Sequence, residues 1–201
     1  MRAIPRLAVM TATVGVLCLT GCSQEESNTE LSEAIETANA AVVTSEDTVS
    51  FELTDIDGAV RQSSEWNGKP QLINFWATWC APCRREIPLL KDAQEKYTGI
   101  DLQVIGIAVD FQDDVVAYAE EAQFNYPILV GQEDAMAVAE TSGIDFIGLP
   151  FTMIVSPTGE LIKNHVGEIH EEHIVEIAAV FEEMQAGTVD LAGARERLGT
   201  L

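Results

Sequence analysis

Positive charge is scarce in this chain. Lys and Arg total 11 against 33 Asp and Glu, which leaves a formal net charge of -22 over 201 residues. Such an imbalance argues against nucleic acid as a partner, because phosphate contacts need clustered Lys and Arg. It also disfavours adhesion of the folded domain to an anionic lipid surface, and it suits the solubility of an exported protein. Cysteine is sparse too, at four residues. A secreted scaffold stapled by disulfides would carry more of them. No internal repeat is evident, and beyond the N-terminal segment no apolar run is long enough to span a bilayer.

The N-terminal segment itself, residues 1–21, reads as a signal peptide. Arg2 and Arg6 supply a positive start, and the apolar run Leu7 to Thr20 is short for a membrane helix but suited to a signal core. It closes on Leu19-Thr20-Gly21-Cys22, which resembles the bacterial lipoprotein box. That resemblance implies cleavage before Cys22, diacylation of its sulfur and anchoring to a membrane. Cys18 would leave with the leader, so Cys80 and Cys83 would remain as the free thiols. Residues 22–47 are polar and acidic without an aromatic side chain and read as a tether, with a loose helix around Leu31 to Ala41. If flexible, the tether has an end-to-end distance of roughly 25–30 Å.

From Thr48 the pattern is that of a packed α/β domain, expected over residues 48–185. Alternating Phe51 and Leu53 before Asp57-Gly58 signal an opening β-hairpin. Gln71 to Trp76 and Leu102 to Val109 are short apolar runs typical of buried strands, and Ala81 to Tyr97 between them reads as a helix. This is a βαβ unit. Asp113 or Asp114 is placed to cap a helix burying Val116, Ala119 and Ala122, and Tyr126 to Val130 follows as a strand. A short helix over Ala135 to Thr141 closes at Gly143. Phe151 to Val155 and Leu161 to Val166 flank the turn Pro157-Thr158-Gly159 and should pair antiparallel. The last long helix, about Glu171 to Met184, should bury Ile174, Ile177, Ala178 and Phe181. Residues 186–201 are a C-terminal appendage to which the pattern assigns no structure.

The chemistry concentrates at Trp79-Cys80-Ala81-Pro82-Cys83, where a buried strand gives way to a helix. A thiol there faces unpaired N–H groups and the positive end of the helix dipole, which stabilise its thiolate. Two intervening residues let the sulfurs bond. Cys80, before the helix, should be the attacker, and Cys83, one turn in, the resolving thiol. Arg84 and Arg85 add positive charge nearby. A zinc half-site would need two further ligands at matching spacing, and no second cysteine pair exists.

The stretch Asn74 to Pro88, with the cysteine pair and Pro88 five residues after it, resembles the active-site segment of TlpA/ResA-type thioredoxin-like reductases. Gly148-Leu149-Pro150-Phe151-Thr152 resembles that family's cis-proline loop. The likeness runs over roughly Thr48 to Met184. It implies a thioredoxin-like fold, a central mixed sheet flanked by helices, with an N-terminal β-hairpin and an extra helix–strand insertion. It further implies that Pro150 faces the cysteines, and that Leu149 and Trp79 contact an extended substrate. Thioredoxin places an Asp where this chain has Asn74. The TlpA/ResA pattern instead puts a glutamate three residues after the second cysteine, here Glu86, where it could tune the thiols and accept a proton. A glutamate on a helix surface is, however, more usually just solvated.

The activity implied is thiol–disulfide exchange on protein disulfides in the cell envelope, within a group that serves cytochrome c maturation. A membrane electron donor would re-reduce the pair, and no cofactor or metal is called for. Ser23 after the anchor cysteine would favour the outer membrane of a Gram-negative host. Two rivals stay open. One is a Cu(I)-binding metallochaperone of Sco type, although such proteins space their cysteines by three residues. The other is a peroxiredoxin-like peroxidase, suggested by the roughly forty residues between Val109 and Pro150. His170 and His173, three apart at a helix start, read as a solvated pair.

Overall fold

Gln71–Trp76 is mostly apolar, and the computed structural model, which describes residues 48–141, 143 and 148–201, buries all six of its side chains. The signal peptide, Cys22 and the tether lie outside the described residues. In chain order the strands are β1 (Glu52–Asp55), β2 (Val60–Gln62), β3 (Gln71–Trp76), β4 (Gln103–Val109), β5 (Ile128–Gly131), β6 (Phe151–Val155) and β7 (Leu161–Val166). The helices are α1 (Ala81–Lys96), α2 (Gln112–Ala122), α3 (Glu133–Thr141), α4 (Glu171–Gln185) and α5 (Leu191–Leu198).

The strands form one mixed sheet in the order β2-β1-β5-β4-β3-β6-β7. β3 pairs parallel with β4 and antiparallel with β6, so the strand leading to the cysteines has neighbours on both sides. The period of two along β3 sorts its side chains between two cores. Leu72 and Trp76 face a cluster built with Ile87 and Leu90 of α1 and with Ile174, Ile177 and Phe181 of α4. Ile73 and Phe75 face the other cluster, with Ile105 and Ile107 of β4 and Ala135, Val138 and Ala139 of α3. Phe75 stacks on Phe151 across β3 and β6 at a centroid separation of 4.2 Å.

The N-terminal hairpin forms around Gly58 at φ +85°, with Asp55 Oδ1 accepting from the N–H groups of Asp57 and Ala59. Its β1 joins the sheet through β5, antiparallel at Thr54 opposite Val130. The helix–strand insertion therefore supplies the strand on which the hairpin docks. The start of α2 differs from the sequence expectation. Phe111 is the N-cap and makes no side-chain cap bond, while Asp113 and Asp114 lie in the first turn near the positive end of the helix. Val115 is the fully buried residue, and Val116, Ala119 and Ala122 are only half-buried. The cause is a helix resting on the edge of the α1 side, against Trp76 and Phe124 through Tyr118, which narrows its buried stripe.

The C-terminal residues also pack more than their sequence suggested. Asp190 caps α5 by accepting from the Gly193 N–H, and Ala194 and Leu198 are completely buried in the same core as α4. Arg197 pairs with Glu176 and Glu183 of α4, and Arg195 donates to the Leu161 carbonyl of β7. Leu198→Ala should therefore lower unfolding stability by about 2–4 kcal/mol, the usual cost of emptying a buried leucine site. Denaturant unfolding checks this, and a change within about 0.5 kcal/mol would show α5 to be dispensable.

Candidate active site

Cys80 leaves the end of β3 in extended conformation and is the N-cap of α1, with Ala81-Pro82 opening the helix. Proline is tolerated there because first-turn N–H groups have no intrahelical acceptor. The Cys80 sulfur accepts from the Cys83 N–H at 3.3 Å and is bonded to the Cys83 sulfur, with the two Cα atoms 5.3 Å apart. Cys83 is fully buried, whereas Cys80 keeps 5% exposure. Trp79 beside it is 70% exposed.

The cis peptide bond Leu149–Pro150 lies immediately before β6. Because Phe75 and Phe151 are opposite each other, Pro150 lies at the end of the sheet where β3 releases the cysteine segment. Pro150 is buried and Leu149 half-buried.

Glu86 is buried at 2% exposure. It shares the inner face of α1 with Cys83, three residues earlier, as helical spacing requires. Asn74 of β3 donates through Nδ2 to Glu86 Oε1 at 2.8 Å and also approaches Thr152 Oγ1 at 3.1 Å. The Ile169 N–H donates to Glu86 Oε2 at 2.7 Å. Burial pushes the carboxyl up to about 7, and these two donors hold it from rising further. A surface, solvated glutamate is thus not what the fold makes of this residue. Tyr126, buried on the same side, is driven well above the usual phenol range by its own desolvation and by Glu86.

The two arginines after Cys83 each have a partner. Arg84 lies over the Tyr118 ring at 4.9 Å, and Arg85 forms a two-pronged pair with Glu168. His170 caps α4 and is exposed, while His173 accepts from the His170 N–H and its ring lies 4.4 Å from that of His165. Among the described residues no three His, Cys, Asp or Glu side chains converge as metal ligands.

Sequence reasoning missed Asp110. This buried carboxylate at the end of β4 accepts from the N–H and the hydroxyl of Thr78, at 2.9 and 2.6 Å, and so fixes the segment entering Cys80. An acidic residue closing a strongly apolar strand run was the available signal. The loop Gly167-Glu168-Ile169 was also missed, since its contact with Glu86 bridges residues far apart in sequence.

A family model for the AhpC/TSA family matches residues 45–165. The chain belongs to that family. It is 29% identical over 139 residues to the thiol-disulfide oxidoreductase ResA of Geobacillus kaustophilus, covering 69% of this chain and 78% of that one. Its structure is similar to a thiol:disulfide interchange protein of the thioredoxin family from Chlorobium tepidum, with TM-score 0.60, 26% identity and coverage of 69% and 97%. It is also similar to the pneumococcal exposed lipoprotein thioredoxin of Streptococcus pneumoniae, with TM-score 0.54, 26% identity and coverage of 65% and 98%. The fold is thioredoxin-like, and this AhpC/TSA member is a thiol–disulfide oxidoreductase.

Glu86 makes stability depend on pH in a defined direction. Between pH 4.5 and about 7 the folded protein keeps a proton on Glu86 that the unfolded chain releases, so stability falls as pH rises through that window. From pH 5 to pH 8 the loss from this group should be roughly 2–3 kcal/mol. Denaturant unfolding of the oxidised protein at both pH values should show that loss, and Glu86→Gln should lack it. Equal pH slopes in the two proteins would rule out titration of Glu86 in this range.

Proposed function

We propose that this chain reduces protein disulfides in the cell envelope, with Cys80 as attacking thiolate and Cys83 as resolving thiol. The supporting observation is the joined sulfur pair at the N-terminus of α1, with the residual exposure on Cys80 and none on Cys83. The helix N-terminus and the Cys83 N–H favour negative charge on the Cys80 sulfur. That thiolate attacks a substrate disulfide, forming a mixed disulfide and releasing one substrate thiolate. Cys83 then gives its proton to the Glu86 carboxylate and bonds to the Cys80 sulfur, and the second substrate sulfur leaves as a thiolate. Two electrons pass to the substrate, and the Cys80–Cys83 disulfide returns.

Trp79 and Leu149 supply the apolar contact for an extended substrate segment, and Pro150 faces the cysteines without an N–H to offer them. A membrane electron donor restores the dithiol. Cys22, once diacylated, holds the domain to the membrane through the tether of residues 22–47, and its neighbour Ser23 favours the outer membrane in a Gram-negative host. The leader sequence supports the lipid anchor, as does likeness to a pneumococcal exposed lipoprotein. Apocytochrome c is the substrate that resemblance to TlpA/ResA-type proteins favours.

Cys80→Ser should abolish reduction of insulin disulfides, a loss of at least about a hundredfold. Cys83→Ser should instead accumulate mixed disulfides, whose partners identify the substrate. Full activity in either variant would sink the mechanism. Turnover of hydrogen peroxide in place of insulin disulfides would favour a peroxidase.

A further inference from the structure

The loop between β7 and α4 touches the site at three consecutive residues. Gly167 donates its N–H to the Pro150 carbonyl at 2.9 Å, Glu168 receives both prongs of Arg85, and the Ile169 N–H reaches Glu86 at 2.7 Å. Its far side is also held, because His165 Nε2 lies 3.3 Å from the Glu168 carbonyl. One short strap therefore joins the proline loop, the outer face of α1 and the buried carboxyl on its inner face. Arg85 and Glu86 are successive residues pointing to different faces, yet both end on this loop.

We propose that Arg85 is a positioning residue: its ion pair with Glu168 holds the Ile169 N–H on Glu86 and thereby sets the pH at which Glu86 takes a proton from Cys83. The second half of this statement rests on the role given to Glu86 above. The first half stands on the hydrogen bonds alone. An N–H donor favours the ionised carboxylate, and a donor held at 2.7 Å does so more than one on a loose loop. The pair has a second effect of the same sign, because Arg85 neutralises Glu168, the negative neighbour that disfavours ionisation of Glu86.

Other groups surround Glu86 from several elements. Asn74 from β3 and Thr152 from β6 are neutral, and Tyr126, preceding β5, is held un-ionised by burial. Cys80 and Cys83 belong to its own helix. His165 of β7 touches the strap, and burial lowers its pKa; His173 and His170 of α4 lie beyond it.

Two readouts on the oxidised full chain test the strap without calling on activity. In Arg85→Gln, the carboxyl-carbon NMR titration of Glu86 should move upward by roughly half a unit to one unit, and the Ile169 amide should exchange with solvent at least about tenfold faster. Arg85→Lys should recover part of both effects, and Glu168→Gln should reproduce the faster exchange. A raised midpoint with an unchanged Ile169 exchange rate would mean that Arg85 acts through space, which overturns the strap. An unmoved midpoint overturns it as well.

The catalytic half is read separately, from the pH profile of insulin reduction. Arg85→Gln should displace the alkaline-rising limb by the same amount, and in a Glu86→Gln background the Arg85 change should displace nothing further. If the NMR shift appears while Glu86→Gln leaves the wild-type pH profile intact, the strap stands and the proton-acceptor role of Glu86 fails.

Discussion

A carboxyl group buried beside a dithiol is the constraint around which this site is arranged. Glu86 has almost no contact with solvent, and an unpaired carboxylate in that position would be prohibitive. The fold answers with two donors from distant parts of the chain, Asn74 on the central strand and the Ile169 N–H on the loop before α4. Neither donor carries a full positive charge. The carboxyl is therefore kept near neutrality in its titration, at about 7, where it can exchange a proton under ordinary conditions. A lysine or arginine in place of Asn74 would hold it ionised and remove that capacity.

The same face of the sheet explains why the cysteines behave as a pair with different exposure. β3 is hydrogen-bonded on both sides, so the point where it hands over to α1 is fixed by two neighbouring strands. Asp110 adds a second restraint by binding Thr78. The N-terminal turn of α1 then presents the Cys80 sulfur at the rim, and one helical turn carries Cys83 into the core formed with Leu72, Trp76 and Ile87. Trp79 beside this rim is the exposed aromatic residue next to the pair. Placing a site on rigid elements in this way limits the reorganisation needed when a mixed disulfide forms.

The thioredoxin-like architecture and the redox centre are largely legible in the sequence. Period-two and continuous apolar runs mark the strands, Asp57-Gly58 and Pro157-Thr158-Gly159 mark turns, and two cysteines at a strand–helix junction mark the chemistry, because each of these signals is local. Element ends were less legible. β5 begins two residues later than its apolar run, and α2 buries Val115 where periodicity favoured its neighbours, since the packing of its Tyr118 on Trp76 decides the face.

What the sequence determined by itself is the order of elements and the pair Cys80 and Cys83, because short-range spacing and helix-end electrostatics suffice to specify them. Tertiary structure alone decided that Glu86 is buried, that Arg85 serves Glu168 instead of the thiols, and that residues after Gly187 complete the core through Leu198. Each of these depends on a partner dozens of residues away, and burial and hydrogen bonding across such distances exist only once the sheet has brought the segments together.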